Sequence, residues 1–251
     1  MRQAVSWTRF DSAGLVRILA ELAVADVADA KQTFAERLGE WLDLKDALAL
    51  YSALNSAAGN SPPRAPPAAA LRAQLAQVRG DLAAAVAAAG TAQPGGANLG
   101  LPTPLPNAAP ESAADFAPFH RYYLAHQRAM ATAVGPLRVS VRAALSAQSA
   151  AFKQLAALDA VMEQAFAARE ASLLATVPVL LGRRFAHLFE THQRGREAAQ
   201  PDDPVQWMQS GGWLARFCAE LQRVLLAELD LRLMPVAGLV AALDKESTEI
   251  Q

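Results

Sequence analysis

The sequence predicts an all-α protein, a bundle of about six to eight helices with a long kinked central stretch. Three observations carry this. First, residues 115–198 hold one apolar stripe at helical spacing: with Phe119 at zero and 100° per residue, Tyr122, Tyr123, His126, Met130, Val134, Leu137, Val141 and Leu145 share an arc of roughly 140°. Phe152, Leu155, Leu158, Met162, Phe166, Leu173, Val177, Leu180 and Leu181 fall in the same arc. Second, the flanking segments repeat the i, i+3, i+4, i+7 pattern, which supplies the partners such a stripe needs. Third, the 53% hydrophobic content is rich in alanine, which lets helices approach closely, and only 6% of residues are aromatic.

Residues 1–10 are expected to fray, with Trp7 and Phe10 able to tuck back. Asp11 or Ser12 can cap a helix bearing Leu15, Ile18, Leu19 and Leu22, a phase that continues through Val27, Phe34, Leu38 and Trp41 with Gly39 as the weak point. Asp43 can cap a further helix whose apolar face is Leu44, Leu48, Tyr51 and Leu54, stopped between Asn55 and Gly59. Pro62, Pro63, Pro66 and Pro67 form a stiff connection, because proline fixes φ and cannot propagate a preceding helix. Leu71, Leu75, Val78, Leu82 and Val86 then give a narrow seam ending near Gly90.

Residues 91–111 contain five prolines and three glycines and are expected to be a mobile loop or linker. The division is therefore 1–90, an N-terminal helical region; 91–111, the loop or linker; and 112–251, a C-terminal long-helix bundle, with one domain or two left open. Ser112 and Asp115 start the central stretch at capping-box spacing. Because the stripe keeps its phase across Gly135-Pro136, a kink is expected there, and the chain reversal near 146–150, where Ser149 can cap a new helix. Pro178 should bend its helix rather than end it. Asp202-Asp203-Pro204 is a helix start. The last long helix carries Val205, Met208, Leu214, Phe217, Leu221, Val224, Leu225 and Leu229, is weakened at Gly211-Gly212, and is expected to break at Pro235.

The net charge is −1, with four lysines against nineteen arginines, so nothing global points to nucleic acid or a membrane surface. By segment, 115–200 sums to +4, 1–60 to −2 and 201–251 to −4, which reads as charge complementarity between neighbouring helices. The single cysteine, Cys218, excludes an internal disulfide and a cysteine-based zinc site, and its apolar surroundings predict an inert thiol. With no signal-peptide pattern at the start and no run near the roughly twenty apolar residues of a membrane span, a cytoplasmic location without membrane insertion is expected.

No chemistry-bearing motif emerges. His187 and Glu190 share a helical face, but His192 lies about 140° from His187, and His120 and His126 diverge in the same way; no metal is expected. There is no GxGxxG, phosphate loop or nucleophile-elbow pattern, so no catalytic residue, no cofactor and no enzyme are expected. Phe119, Tyr122 and Tyr123 read as core. Arg183, Arg184, Arg194 and Arg196 form the densest basic stretch and are the candidate partner-binding residues, against the alternative of a solvated helix end where cations meet the helix dipole.

The runs GLVRILAELAVADVADAKQTFAERLGEWLDLKDALALYSALN, PFHRYYLAHQRAMATAVGPLRVSVRAAL and LATVPVLLGRRFAHLF resemble an uncharacterised proteobacterial domain-of-unknown-function family. The resemblance covers most of the chain outside the proline-rich loop and brings no activity or functional residue. It implies genes beside a membrane coiled-coil protein and an OmpA-like or MotB-like peptidoglycan-binding protein, hence a cytoplasmic accessory subunit of an envelope-associated complex. The expected function is a non-catalytic helical adaptor or assembly factor with protein partners, homo-oligomerisation left open. A nucleic-acid-associated protein using 183–196 is the alternative.

Overall fold

The computed structural model describes residues 14–22, 40–55, 67–88, 100–104, 114–196 and 202–249, the side chains of 244–249 excepted. Among these, every regular element is helical: α1 (Gly14–Glu21), α2 (Leu44–Asn55), α3 (Ala68–Ala87), α4 (Ala117–Ser146), α5 (Ala150–Gly195), α6 (Pro204–Trp207) and α7 (Trp213–Glu249). The architecture is all-α. Trp7, Phe10, Asp11, Ser12, Val27, Phe34, Leu38, Gly39, Pro62, Pro63, Pro66 and Ser112, and most of 91–111, lie outside the described residues.

Local chemistry sets the visible helix ends. Asp43 and Asp46 form a reciprocal capping box at the start of α2, Asp46 N–H donating to Asp43 Oδ1 at 2.8 Å and Asp43 N–H to Asp46 Oδ2 at 3.3 Å. Asn55 closes α2, its amide donating to the Tyr51 carbonyl. Asp115 caps α4 by accepting from Ala117 N–H at 2.9 Å. The chain leaves α4 at Ser146 and starts α5 at Ala150, with Ser149 Oγ accepting from Phe152 N–H. The reversal therefore sits where the sequence places it.

Three prolines test the helix readings. Pro136 and Pro178 lie inside α4 and α5, both continuous through them as expected. Pro235 also lies inside a helix, and here the expected break does not occur: α7 runs on to Glu249. Proline forfeits one backbone hydrogen bond, but Val236, Leu239, Val240 and Leu243 beyond it are all buried and hold the helix on course. The last helix is corrected in a second respect. Val205 belongs to the short α6, and Met208 follows it as its C-cap. Gly211, at φ +87°, and Gly212, where a Cβ would come within 2.2 Å of the Trp207 carbonyl oxygen, turn the chain into α7.

The chain forms two compact units that interleave the sequence rather than divide it once: Met1–Val27, Ala83–Gln127 and Pro178–Leu231 make the first, Ala28–Leu82, Arg128–Val177 and Arg232–Gln251 the second. In the first, Phe119, Phe185 and Phe217 pack their rings 5.0–5.6 Å apart, and Gly182 leaves room for Phe116. Buried Glu228 accepts from Tyr123 Oη at 2.5 Å and from Gln127 at 3.0 Å, while Tyr122 Oη and Gln222 both donate to the Val86 carbonyl. Gly100 and Pro102 line a cleft with Pro118, Arg121, Tyr122 and Ala125, so this part of the proline-rich segment lies along the first turns of α4.

In the second unit, the core includes Leu71, Met130, Val134, Leu137, Val141 and Leu145. The α4–α5 hairpin is fastened by a four-charge lattice: Arg138 meets Asp159 at 2.6 Å and Glu163 at 3.4 Å, and Arg142 meets Asp159 at 3.1 Å and also Glu163. Beyond it Leu174 is buried where the sequence stripe places Leu173, which is exposed, while Val177 and Leu181 are buried as expected. An 18-residue window of α5 has a mean hydropathy of 1.3 and is 22% buried. The sequence reading expected no such stretch; by length and composition it could cross a membrane, a criterion that core helices of soluble proteins also meet.

Candidate functional site

The four basic candidates do not converge on one surface. Arg183 is exposed on α5. Arg184, next along, turns inward and grips Glu220 of α7 through Nε at 2.8 Å and an Nη at 2.7 Å, a bidentate pair with both side chains about nine-tenths buried. Arg216 adds a third contact to Glu220 at 3.0 Å. Burial alone would raise the Glu220 pKa, but the hydrogen bonds and charges of Arg184 and Arg216 outweigh it and hold the carboxyl below its usual range. Arg194 makes an exposed i, i+4 pair with Glu190. Arg196 points back to Asp202 at 3.1 Å and to Gln193.

Asp202 is the hub of a cluster that sequence spacing left unseen. Its Oδ1 accepts from Trp207 Nε1 at 2.7 Å and meets His192 Nε2 at 3.1 Å; its Oδ2 accepts from Gln193 at 2.9 Å and pairs with Arg196. Burial would raise this carboxyl too, yet the bonds from His192, Trp207 and Gln193 and the Arg196 charge keep it below the usual carboxylate range. The His192 ring stands 5.9 Å from Trp207 and 6.1 Å from Trp213, and the two indoles are 5.2 Å apart. Buried Trp213 Nε1–H has no hydrogen-bond partner among the described residues.

Around this hub opens a cleft of about 500 Å³, lined by residues that include Thr191, His192, Arg196, Asp202, Gly211 and Arg216. Its chemistry is that of a fastening. Asp202 is saturated by four side-chain donors, and the Thr191 hydroxyl donates to the His187 carbonyl rather than to a base. Cys218 is buried and burial pushes its thiol up to about 12, so it is un-ionised at neutral pH. Among the described residues, no three His, Cys, Asp or Glu side chains converge as metal ligands. The signal that could have found this hub was the Asp202-Asp203-Pro204 helix start close to Trp207; the helical offset from His192 hid the rest.

The second unit offers a surface of a different kind. The sequence reading took Leu44, Leu48, Tyr51 and Leu54 as the packing face of α2, and the structure turns them outward. They are 78%, 60%, 68% and 51% exposed. Instead α2 rests on Asp46, Ala49, Leu50 and Ala53, of which Ala53 is buried and the others half-buried. The small alanines let the backbone come close, and the larger apolar groups are left in water.

The family described as "Protein of unknown function (DUF3348)" matches residues 1–245. The chain belongs to this family. The DUF3348 match takes in both compact units and all the described helices except for the last residues of the second unit and of α7, and the description carries no activity or site that could be transferred. No curated protein matches the chain. No solved structure matches it either.

Proposed function

We propose that this member of the DUF3348 family is a non-catalytic helical adaptor or assembly factor, working in the cytoplasm as an accessory subunit of an envelope-associated complex. The observation that supports an interaction role is the outward leucine face of α2. Full burial of a leucine-sized side chain stabilises by about 1.5–3 kcal/mol, and these four are already partly covered, so they represent roughly 160–320 Å² of apolar surface that a protein partner would recover. The envelope complex comes from the resemblance alone. The nucleic-acid alternative draws less from the geometry, because Arg184 and Arg196 are spent on Glu220 and Asp202 and Arg194 is paired with Glu190.

A photo-crosslinking amino acid placed at Leu48, and separately at Arg183, tests this in living cells. Protein adducts are expected at position 48. Absence of any protein adduct there would overturn the adaptor reading, and nucleic-acid adducts at 183 would favour the alternative.

A further inference from the structure

We propose that the cleft beside the Asp202 hub binds a small oxyanion, a phosphate or a carboxylate group, at the start of α7. The site is separate from the α2 face, and every residue lining it belongs to the first compact unit.

Three sets of donors meet here without an acceptor. The first is backbone. Gly212 N–H is spent on the Gln209 carbonyl at 2.8 Å, and the ladder of α7 begins only with Arg216 N–H on the Gly212 carbonyl at 3.0 Å. The N–H groups of Trp213, Leu214 and Ala215 in between bond nothing among the described residues. Gly212 has no side chain to cap them, the first turn of α7 holds no acidic residue, and Trp213 and Leu214 are buried. The second donor is the Trp213 indole. Trp213 is 7% exposed and lines the cleft, and its buried Nε1–H has no acceptor among the described residues. The third is Arg216, whose side chain is 64% exposed and bonds Glu220 through Nε, leaving its two Nη groups for a ligand.

The helix dipole adds positive partial charge at the same end, and it disfavours a cation such as Arg216 so near a helix start. An anion seated there reverses that sign and takes the orphan N–H bonds as well. The two carboxylates on the lining do not compete for these donors. Asp202 is taken up by Trp207, His192, Gln193 and Arg196, and Asp203 caps α6 through Val205 N–H at 2.9 Å. A cleft of about 500 Å³ admits a phosphate or a small organic acid, and a Cβ added at Gly211 would meet nothing within 4 Å.

Proton–nitrogen correlation NMR of the full chain tests the proposal, with sodium phosphate and, separately, sodium benzoate titrated at constant ionic strength in chloride. The Trp213 indole N–H peak is identified by its loss in Trp213→Phe. It should move and saturate with a Kd of about 1 mM or tighter for at least one probe. Response to phosphate alone assigns a phosphoryl ligand, and response to benzoate alone a carboxylate. Arg216→Gln should weaken binding tenfold or more, while the bidentate Arg184 still holds Glu220. If that variant does not fold, Trp213→Phe decides: it should lose the rise in melting temperature that the bound probe gives the native chain. A Trp213 peak that stays still with both probes up to about 20 mM overturns the proposal. So does equal movement in chloride alone, an undiminished affinity in Arg216→Gln, or an undiminished rise in Trp213→Phe. None of these outcomes touches the adaptor reading of α2.

Discussion

At the scale of single residues, two tryptophans of equal size separate packing from hydrogen bonding. Trp207 Nε1–H is spent on Asp202, whereas Trp213 Nε1–H has no acceptor among the described residues. Trp207→Phe leaves a buried carboxylate short of a donor, and hydrogen bonds to charged groups contribute about 1.5–3 kcal/mol. Trp213→Phe removes a donor that bonds nothing. Urea unfolding should therefore rank Trp207→Phe as the more destabilising by about 1.5–3 kcal/mol, and equal losses would refute the Asp202 hub. Acid should act through the same carboxylates. Asp202 and Glu220 are depressed in the folded state, so their contribution is full above the unfolded carboxylate range near pH 4 and disappears as pH falls through their lower folded values. Asp202→Asn together with Glu220→Gln should lower stability at pH 7 and flatten its decline below about pH 4; an unchanged acid limb would count against both networks. The segment charges of +4 and −4 made complementarity legible in the sequence, but not that Arg184 would find Glu220, because neither charge sums nor helical period reports which turns of two long helices meet.

At the scale of elements, what could be read depended on whether one period decided the outcome. The α4 stripe was legible almost residue by residue: Phe119, Tyr122, Tyr123, His126, Met130, Val134, Leu137, Val141 and Leu145 are all buried. In α2 two faces compete, and counting hydrophobicity chose the leucines where packing chose the alanines. Pro235 misled because the local cost of a proline is visible in sequence and the burial of Val236 to Leu243 that offsets it is not. Pro136 gives a direct test. It is exposed within a continuous helix, so Pro136→Ala restores one backbone bond and loses little packing, and thermal melts should show stabilisation of about 1 kcal/mol or more. Spin labels at Arg128 and Ala143 should lie about 22 Å apart along one helix; a distance near 10 Å would mean the chain doubles back at Gly135.

At the scale of the whole molecule, the fold class was legible in the helical periodicity. Periodicity reports which face of a helix is covered without saying by what, so the division at the proline-rich segment followed composition. The compact units instead follow contacts, each drawing on parts of α3, α4, α5 and α7. Far-UV circular dichroism should be dominated by helix, and appreciable strand signal would contradict the architecture.

The four-charge lattice of the α4–α5 hairpin also bears on how the chain folds. Its partners are only 21 residues apart, as in Arg138 with Asp159, whereas Arg223 and Glu21 are joined across 202. Closing a short loop costs less entropy than closing a long one, and contacts local in sequence form fastest. The hairpin is thus the natural nucleus, and its charges fix the register before the distant helices arrive. Asp159→Asn should slow refolding more than it speeds unfolding, whereas Glu21→Gln should leave the refolding rate untouched.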